Sequence, residues 1–146
     1  DPMVSEKIFN RPLFATSWSN SSQRAVDTLK GLSNVVGQLH VMHVVSEKDL
    51  KSTDTHEVQK IRKKERKRLD DLCDEFEKAG IDARAHVYVG DPEKEILKAA
   101  REYQASMIII GTSERNAMME RWMGSISRNI AEKSAYPCML FPINKC

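Results

Sequence analysis

The sequence has few of the residues that build disulfide-rich domains or zinc sites. It holds three cysteines, Cys73, Cys138 and Cys146, and no two of them stand in CxxC spacing. An odd number without that spacing argues against a disulfide framework and against a zinc site. We therefore predict that Cys73 and Cys138 are small buried hydrophobic residues in a reducing cytoplasm.

The sequence also has only a small excess of charge of one sign and no long apolar run. The 23 Lys and Arg residues nearly balance the 21 Asp and Glu residues, and the net charge of +2 is too small to indicate nucleic-acid or membrane binding by itself. No apolar run approaches the roughly 20 residues that span a bilayer, and no signal peptide is visible. We expect one cytoplasmic domain over residues 1–146, with residues 1–3 a cloning remnant or a disordered end.

What the sequence does contain is a regular alternation of strand and helix patterns. The run MIII and the alternating DARAHVYVG are typical of strands, whereas apolar residues recur at helical spacing between them. Gly37 is predicted to end the first helix, and Asp91 followed by Pro92 to begin the third. Strands are predicted at residues 11–16, 38–45, 82–90, 106–110 and 138–143, and helices at residues 22–36, 58–80, 91–103 and 125–134.

This β-α-β-α-β-α-β-α-β order predicts an α/β fold in which helices cover both faces of a parallel sheet. The expected sheet has five strands in the order 3-2-1-4-5 and is Rossmann-like, with the third strand at an edge. In such a sheet, ligands bind beyond the carboxyl ends of the strands, where the strand order reverses. That point lies between the first and fourth strands, so the segments TSWSNSS and GTSERNAMMERWMGS should meet there.

Two further patterns leave alternatives open. His40 and His43 lie in the second strand, and we interpret them as structural because a metal site would need a third ligand that is not evident. The run KIRKKERKR could attract phosphates or form a solvated helix face. Glu65 within the run and the lack of interleaved aromatic residues favour the solvated face, so we expect no nucleic-acid binding.

The segments expected at this crevice contain few residues that could carry out catalysis. The sequence contains no GxSxG elbow, no GxGxxG motif and no P-loop, and the two segments hold no His or Cys. Their carboxylates are Glu114 and Glu120, and without a His or Cys beside them a general acid–base pair or an activated nucleophile is hard to assemble. We predict no catalytic residues and no metal site, and therefore no enzymatic activity.

Six stretches of the chain resemble the universal stress protein family in content and order. They are LFATSWSNSSQRA, HVV, VGDPEKEIL, MIIIGTS, MGSIS and YPCMLF, and together they run from about residue 11 to residue 143. The resemblance implies a small adenine nucleotide alpha hydrolase-like α/β fold that dimerises through its last strand. In this sequence that strand contributes Cys138, Met139, Leu140 and Phe141.

Many members of that family bind ATP through the pattern G-x2-G-x9-G-[ST]. Here Gly111 matches the first glycine and Gly124 and Ser125 match the last pair, but Glu114 stands at the second glycine. ATP-binding members also end the first strand with an aspartate that recognises adenine, and this sequence has Ser17 there. If a nucleotide site is retained, the resemblance implies that it comprises Ala15, Thr16, Ser17, Val44, Gly111, Thr112, Glu114, Gly124, Ser125 and Ile126.

The two replacements should weaken nucleotide binding. A carboxylate about 4 Å from a phosphate would add up to ~4 kcal/mol of repulsion at an effective dielectric near 20. Replacing Asp by Ser removes a charge-assisted hydrogen bond, which contributes about 1.5–3 kcal/mol.

Other residues near the loop leave alternatives open. Arg115, Arg121 and Arg128 could neutralise a phosphate or be ordinary surface charge. Residues 118–123, which include three methionines and a tryptophan, could close the pocket or form a surface for a protein partner.

We therefore expect a non-enzymatic stress-response homodimer with a degraded nucleotide site, which acts through contacts with a protein partner. The alternative is an ATP-binding regulatory member of the same family with at most slow hydrolysis. In the first case no cofactor is required, and in the second the cofactor is ATP. Neither alternative involves nucleic acid or a membrane.

Overall fold

The computed structural model describes residues 8–47, 50, 54–111, 126 and 128–141. These described residues contain five strands: β1 (Pro12–Ala15), β2 (Gln38–Ser46), β3 (Asp82–Gly90), β4 (Met107–Gly111) and β5 (Cys138–Phe141). The helices between them are α1 (Asn20–Gly31), α2 (Thr55–Lys78) and α3 (Pro92–Glu102), and residues 128–133 form a further helical segment, α4. The predicted alternation of elements is confirmed.

The strands form one parallel sheet in the order β3-β2-β1-β4-β5, as predicted. β1 lies at the centre, with Leu13 level with His40 of β2 and with Ile108 of β4. β3 pairs with β2 along its whole length and ends the sheet on that side, and β5 ends it on the other. Right-handed crossovers between parallel strands account for helices on both faces.

Each face of the sheet carries its own hydrophobic core. On one face, Phe14 and Val41 pack against α1 and against Leu69 and Phe76 of α2. On the other face, Leu13, Met42 and Ile108 pack beneath α3, together with Ile130 of α4. Because the central strands are covered on both sides, they are continuously apolar rather than alternating.

The first helix ends earlier than predicted, and Gly37 has a different role from the predicted one. α1 stops at Gly31, after which Leu32 and Val36 pack on the core from a turn instead of a continued helix. Gly37 does not cap a helix: a Cβ there would lie 2.2 Å from the carbonyl oxygen of Asn10. Its N–H donates to the oxygen of Phe9 at 2.9 Å, so the glycine permits a close approach of two backbone segments.

The two cysteines in the described residues differ in burial. Cys73 is 6% exposed within the α2 core, and burial raises the pKa of its thiol to about 11. Cys138 is only half-buried, so its predicted burial is overstated. Both are free thiols, and Cys146 lies outside the described residues. In the described part of the chain, no helix is both long and apolar enough to cross a membrane.

Candidate functional site

The candidate site is the crevice at the carboxyl ends of β1 and β4. The chain leaves β1 toward β2 on one side and reaches β4 on the other, so the strand order reverses at this point. A crevice of this kind is where doubly wound sheets bind ligands. The loop that follows β1 and the first turn of α1 form the described wall of this crevice.

The β1–α1 loop is held together by serine hydroxyls. Ser17 Oγ lies 3.0 Å from Ser19 Oγ and 3.1 Å from Ser22 Oγ, and the backbone N–H of Ser17 donates to Ser22 Oγ at 3.0 Å. Ser19 is the N-cap of α1, and its side chain accepts a hydrogen bond from the N–H of Ser22. The hydroxyl of Ser17 is therefore engaged within its own loop.

Gly111, at the end of β4, lies directly against the start of α1. A Cβ on this residue would stand 2.7 Å from the backbone nitrogen and 2.9 Å from the Cα of Ser22. Backbone atoms cannot yield as a flexible side chain can, so only glycine fits between β4 and α1 here. This glycine therefore brings the carboxyl end of β4 and the N-terminus of α1 into contact.

Trp18 anchors the β1–α1 loop to α2. Its backbone φ of 60° is uncommon for a residue other than glycine. The indole Nε1–H donates to Glu65 Oε2 at 2.9 Å, and the guanidinium carbon of Arg68 lies 4.2 Å from the ring centroid. These contacts hold the loop in its strained conformation. The anchoring role of Trp18 was not predicted from the sequence, although Glu65 as the lone carboxylate within KIRKKERKR was a usable signal.

His43 belongs to the same group of contacts. Its Nδ1 lies 2.8 Å from the carbonyl oxygen of Thr16, its ring is tilted against Trp18, and its Nε2 lies 3.9 Å from Glu65 Oε2. The ring thus ties the end of β1 to β2. This contact agrees with the structural role predicted for His43.

His40 takes part in a second polar cluster, on the α3 side of the sheet. His40 Nδ1 lies 2.9 Å from His86 Nε2, and the Tyr103 hydroxyl lies 3.1 Å from His86 Nδ1 and 2.6 Å from the Tyr88 hydroxyl. The rings of His40 and His86 both stack on Tyr103. Burial, followed by the coulombic effect of His40, lowers the pKa of His86 to about 4, and burial lowers that of His40. Burial also raises the pKa of Tyr88, so all three groups favour their neutral forms.

Among the predicted nucleotide-binding residues, the structure brings several together. Ala15 and Ile126 are buried in one cluster and Val44 packs against it, while Thr16 follows Ala15 and donates its N–H to the carbonyl oxygen of Met42. Ser17 and Gly111 take the positions described above. Arg128 is exposed on α4. The other residues named from the sequence lie outside the described residues. They are Thr112, Glu114, Arg115, residues 118–123 with Arg121, Gly124 and Ser125. In the described part of the chain, no three His, Cys, Asp or Glu side chains are placed to hold a metal ion.

Comparison with known proteins gives a family match over nearly the whole chain. The model of the universal stress protein family matches residues 9–142. Universal stress protein YxiE of Bacillus subtilis is 25% identical, with 91% of this chain and 99% of that protein covered. Universal stress protein MJ0577 of Methanocaldococcus jannaschii is 20% identical, with 91% and 94% covered.

Solved structures give the same fold. The structure of MJ0577 superposes with a TM-score of 0.81 at 22% identity and covers 95% of this chain and 99% of its own. A universal stress protein in complex with cAMP has a TM-score of 0.67 at 21% identity, covering 95% and 99%. An Arabidopsis thaliana member with AMP bound has a TM-score of 0.66 at 17% identity, covering 93% of each chain. At these identities the likeness carries the fold alone.

Proposed function

Because the chain belongs to the universal stress protein family, we propose that it is a non-enzymatic regulatory protein of the stress response. In this proposal it is a cytoplasmic homodimer that acts through protein contacts. Its nucleotide crevice keeps the frame of the family but has lost two ligand contacts, at Ser17 and at Glu114. No cofactor is required for its action.

The observation that carries this proposal is the hydrogen bonding of Ser17. Its hydroxyl is already within 3.1 Å of two other serine hydroxyls in the loop, so it has little capacity left for a purine base. A serine is also neutral, whereas the aspartate that it replaces would form a charge-assisted bond of about 1.5–3 kcal/mol. Loss of that bond alone would lower affinity by roughly one to two factors of ten.

The second candidate is a regulatory protein that does bind an adenine nucleotide. It is supported by the contact of Gly111 with Ser22, since the family's first glycine is kept where a Cβ would stand 2.7 Å from a backbone nitrogen. It is also supported by the apolar group of Ala15, Val44 and Ile126. Two proteins of the same fold were crystallised with cAMP and with AMP.

Calorimetric titration with ATP and Mg²⁺, AMP or cAMP distinguishes the two candidates. We expect no binding by the wild-type chain at about 100 μM nucleotide, and gain of ATP binding in the Ser17→Asp, Glu114→Gly double variant. The reason is that the double variant restores the carboxylate for the base and removes the charge that repels the phosphates.

The matched control is the Asn34→Asp, Glu77→Gly double variant. It makes the same two kinds of substitution, and the same net change in charge, at exposed positions that precede β2 and β3 and so lie at the opposite end of the sheet from the crevice. It should bind no better than the wild type. Wild-type affinity for ATP in the low micromolar range would favour the nucleotide-binding candidate and contradict the proposal.

The dimer is proposed to form through β5. This strand ends the sheet, and in the described part of the chain Leu140 is the one large hydrophobic side chain that is exposed, at 41%. An uncovered strand edge with apolar side chains favours pairing with a second chain. Cys138, Met139 and Phe141 are half-buried in the same strand and would lie at the interface.

A further inference from the structure

The opposite end of the sheet also has an open edge, at β3. This nine-residue strand pairs with β2 from Asp82 to Gly90, and within the described residues no strand pairs with its other side. The backbone N–H and C=O groups on that side therefore form an extended row of hydrogen-bonding groups. Such a row can accept an added strand from another chain.

The second half of β3 lacks the features that usually protect an edge. The strand contains no proline, and its charged side chains, Asp82 and Arg84, lie at its start, where Arg84 Nε is 3.8 Å from Asp82 Oδ1. From His86 to Val89 the side chains are half-buried, and none carries a formal charge when His86 is neutral. Edge strands are commonly protected by charges, prolines or bulges, none of which blocks this half.

A basic groove lies beside this unprotected half, between β3 and α2. It encloses about 360 Å³ and is lined by Arg62, Lys63, Arg66 and Lys67 of α2, with Asp70 and with Val87 of β3. Arg66 forms an ion pair with Asp70 at 3.2 Å. In the described part of the chain, no carboxylate lies within ion-pair distance of Arg62, Lys63 or Lys67. Three of the four cations are therefore available to an acidic ligand.

The stability of α2 does not account for this concentration of positive charge. Arg62 and Arg66, and likewise Lys63 and Lys67, stand four residues apart on the helix, where like charges repel and destabilise it. Asp70 offsets this repulsion at Arg66 through their ion pair, whereas the remaining acidic residues that follow the cations, Asp71, Asp74, Glu75 and Glu77, lie farther along α2. A binding role explains why the cations stay together next to the strand edge.

We propose that the β3 edge and the basic groove together form a docking site for an acidic, extended segment of a protein partner. The backbone of that segment would add to the sheet beside residues 86–90, and its acidic side chains would face the four cations of α2. A nucleic acid fits less well, because no aromatic side chain is among the described residues that line the groove and a phosphodiester chain cannot pair with a strand edge. The inference extends the proposed action through protein contacts, and it depends on neither the nucleotide crevice nor the dimer.

The test uses a fluorescein-labelled peptide of nine residues, the length of β3, in which Glu and Val alternate. Fluorescence anisotropy with the full chain should give saturable binding that weakens as salt is added. The Lys63→Glu, Lys67→Glu variant should bind about tenfold more weakly. A peptide in which alternate backbone amides are N-methylated should also bind about tenfold more weakly, because it can no longer pair as a strand.

Matched controls separate this site from general charge effects. The Lys94→Glu, Lys98→Glu variant makes the same change, with the same four-residue spacing, on the exposed side of α3 and should bind as the wild type does. Equal weakening by this control, equal binding of the N-methylated peptide, tighter binding of a thymidine oligonucleotide, or no peptide binding would each overturn the proposal. Chemical-shift changes confined to residues 86–90 and the groove would support it.

Discussion

Trp18 and Glu65, which stand 47 positions apart in the chain, are joined by a hydrogen bond of 2.9 Å between the indole Nε1–H and a carboxylate oxygen. This bond connects the β1–α1 loop, one wall of the candidate crevice, to the long helix α2. Arg68 covers the indole ring from the same helix, so Glu65 is held between an indole donor and a cation. The geometry of the described wall of the crevice therefore depends on contacts made by α2.

The Glu65→Ala variant tests this connection. Glu65 is only 13% exposed and its carboxylate accepts the bond from Trp18, so its removal should lower the free energy of unfolding by about 1–3 kcal/mol. The control is Glu75→Ala, because Glu75 pairs with Lys30 at 3.1 Å but is 55% exposed. We expect less than about 1 kcal/mol there, measured by urea denaturation. Equal losses in the two variants would show that Glu65 is an ordinary surface charge.

Substitution of Gly111 tests the close contact between β4 and α1. In Gly111→Ala the added Cβ would lie 2.7 Å from a backbone nitrogen, so the two elements must separate, and we expect a loss of about 1–3 kcal/mol. Gly31→Ala is the matched control, since a Cβ at the end of α1 meets nothing within 4 Å. This control should be neutral or stabilise the helix by up to about 1 kcal/mol. Thermal unfolding measures the stability of both variants, and a Gly111→Ala variant as stable as the wild type would contradict the close packing of β4 against α1.

The fold could be predicted from the sequence because its signals are local. The run at Ile108 has no alternation, as expected of a strand covered on both faces, and Asp91 with Pro92 begins α3 as predicted. The predicted end of α1 was wrong because Leu32 and Val36 continue the helical spacing of apolar residues, although both pack on the core from the turn after the helix. A glycine is required at position 37 by the close contact with Asn10, and the spacing of residues along the sequence carries no information about such a contact.

The candidate site was predicted only in part, for a similar reason. The position of the crevice and the placement of Ser17 and Gly111 beside it followed from topology and from family resemblance, and their roles in binding stay predictions. The anchoring of Trp18 did not, because its partners Glu65 and Arg68 come from a helix that begins about forty residues later. Likewise, His40, His86 and Tyr103 meet only when β2, β3 and α3 are assembled.

The histidine pair predicts how stability depends on pH. The pKa of His86 is lowered to about 4 in the folded chain, against an ordinary value of 6.5, and that of His40 is also lowered. Below pH 6.5 the unfolded chain therefore binds protons that the folded chain does not, and stability must fall as the pH is lowered from about 6.5 toward 4. After discounting for the half-exposed position of His86, we expect it to contribute about 1–2 kcal/mol to this loss.

Urea denaturation at several pH values measures this effect. The His86→Gln variant should be less stable at neutral pH, because it disturbs the contacts with His40 and Tyr103, but its stability should depend less on pH. The control is His56→Gln, at an exposed position in the first turn of α2, which should keep the wild-type dependence. An undiminished pH dependence in His86→Gln would place its origin elsewhere in the chain.

The proposed dimer is tested at Leu140. Sedimentation velocity of the wild-type chain at micromolar concentration should give a dimer, and Leu140→Lys should give a monomer, because a cation would replace the exposed apolar side chain of the edge strand. Ala135→Lys adds the same charge at an exposed position just before β5 and should leave the dimer intact. A wild-type monomer, or a Leu140→Lys dimer, would contradict assembly through β5. Loss of the dimer in both lysine variants would point instead to charge repulsion between the chains, since only Leu140 belongs to the strand.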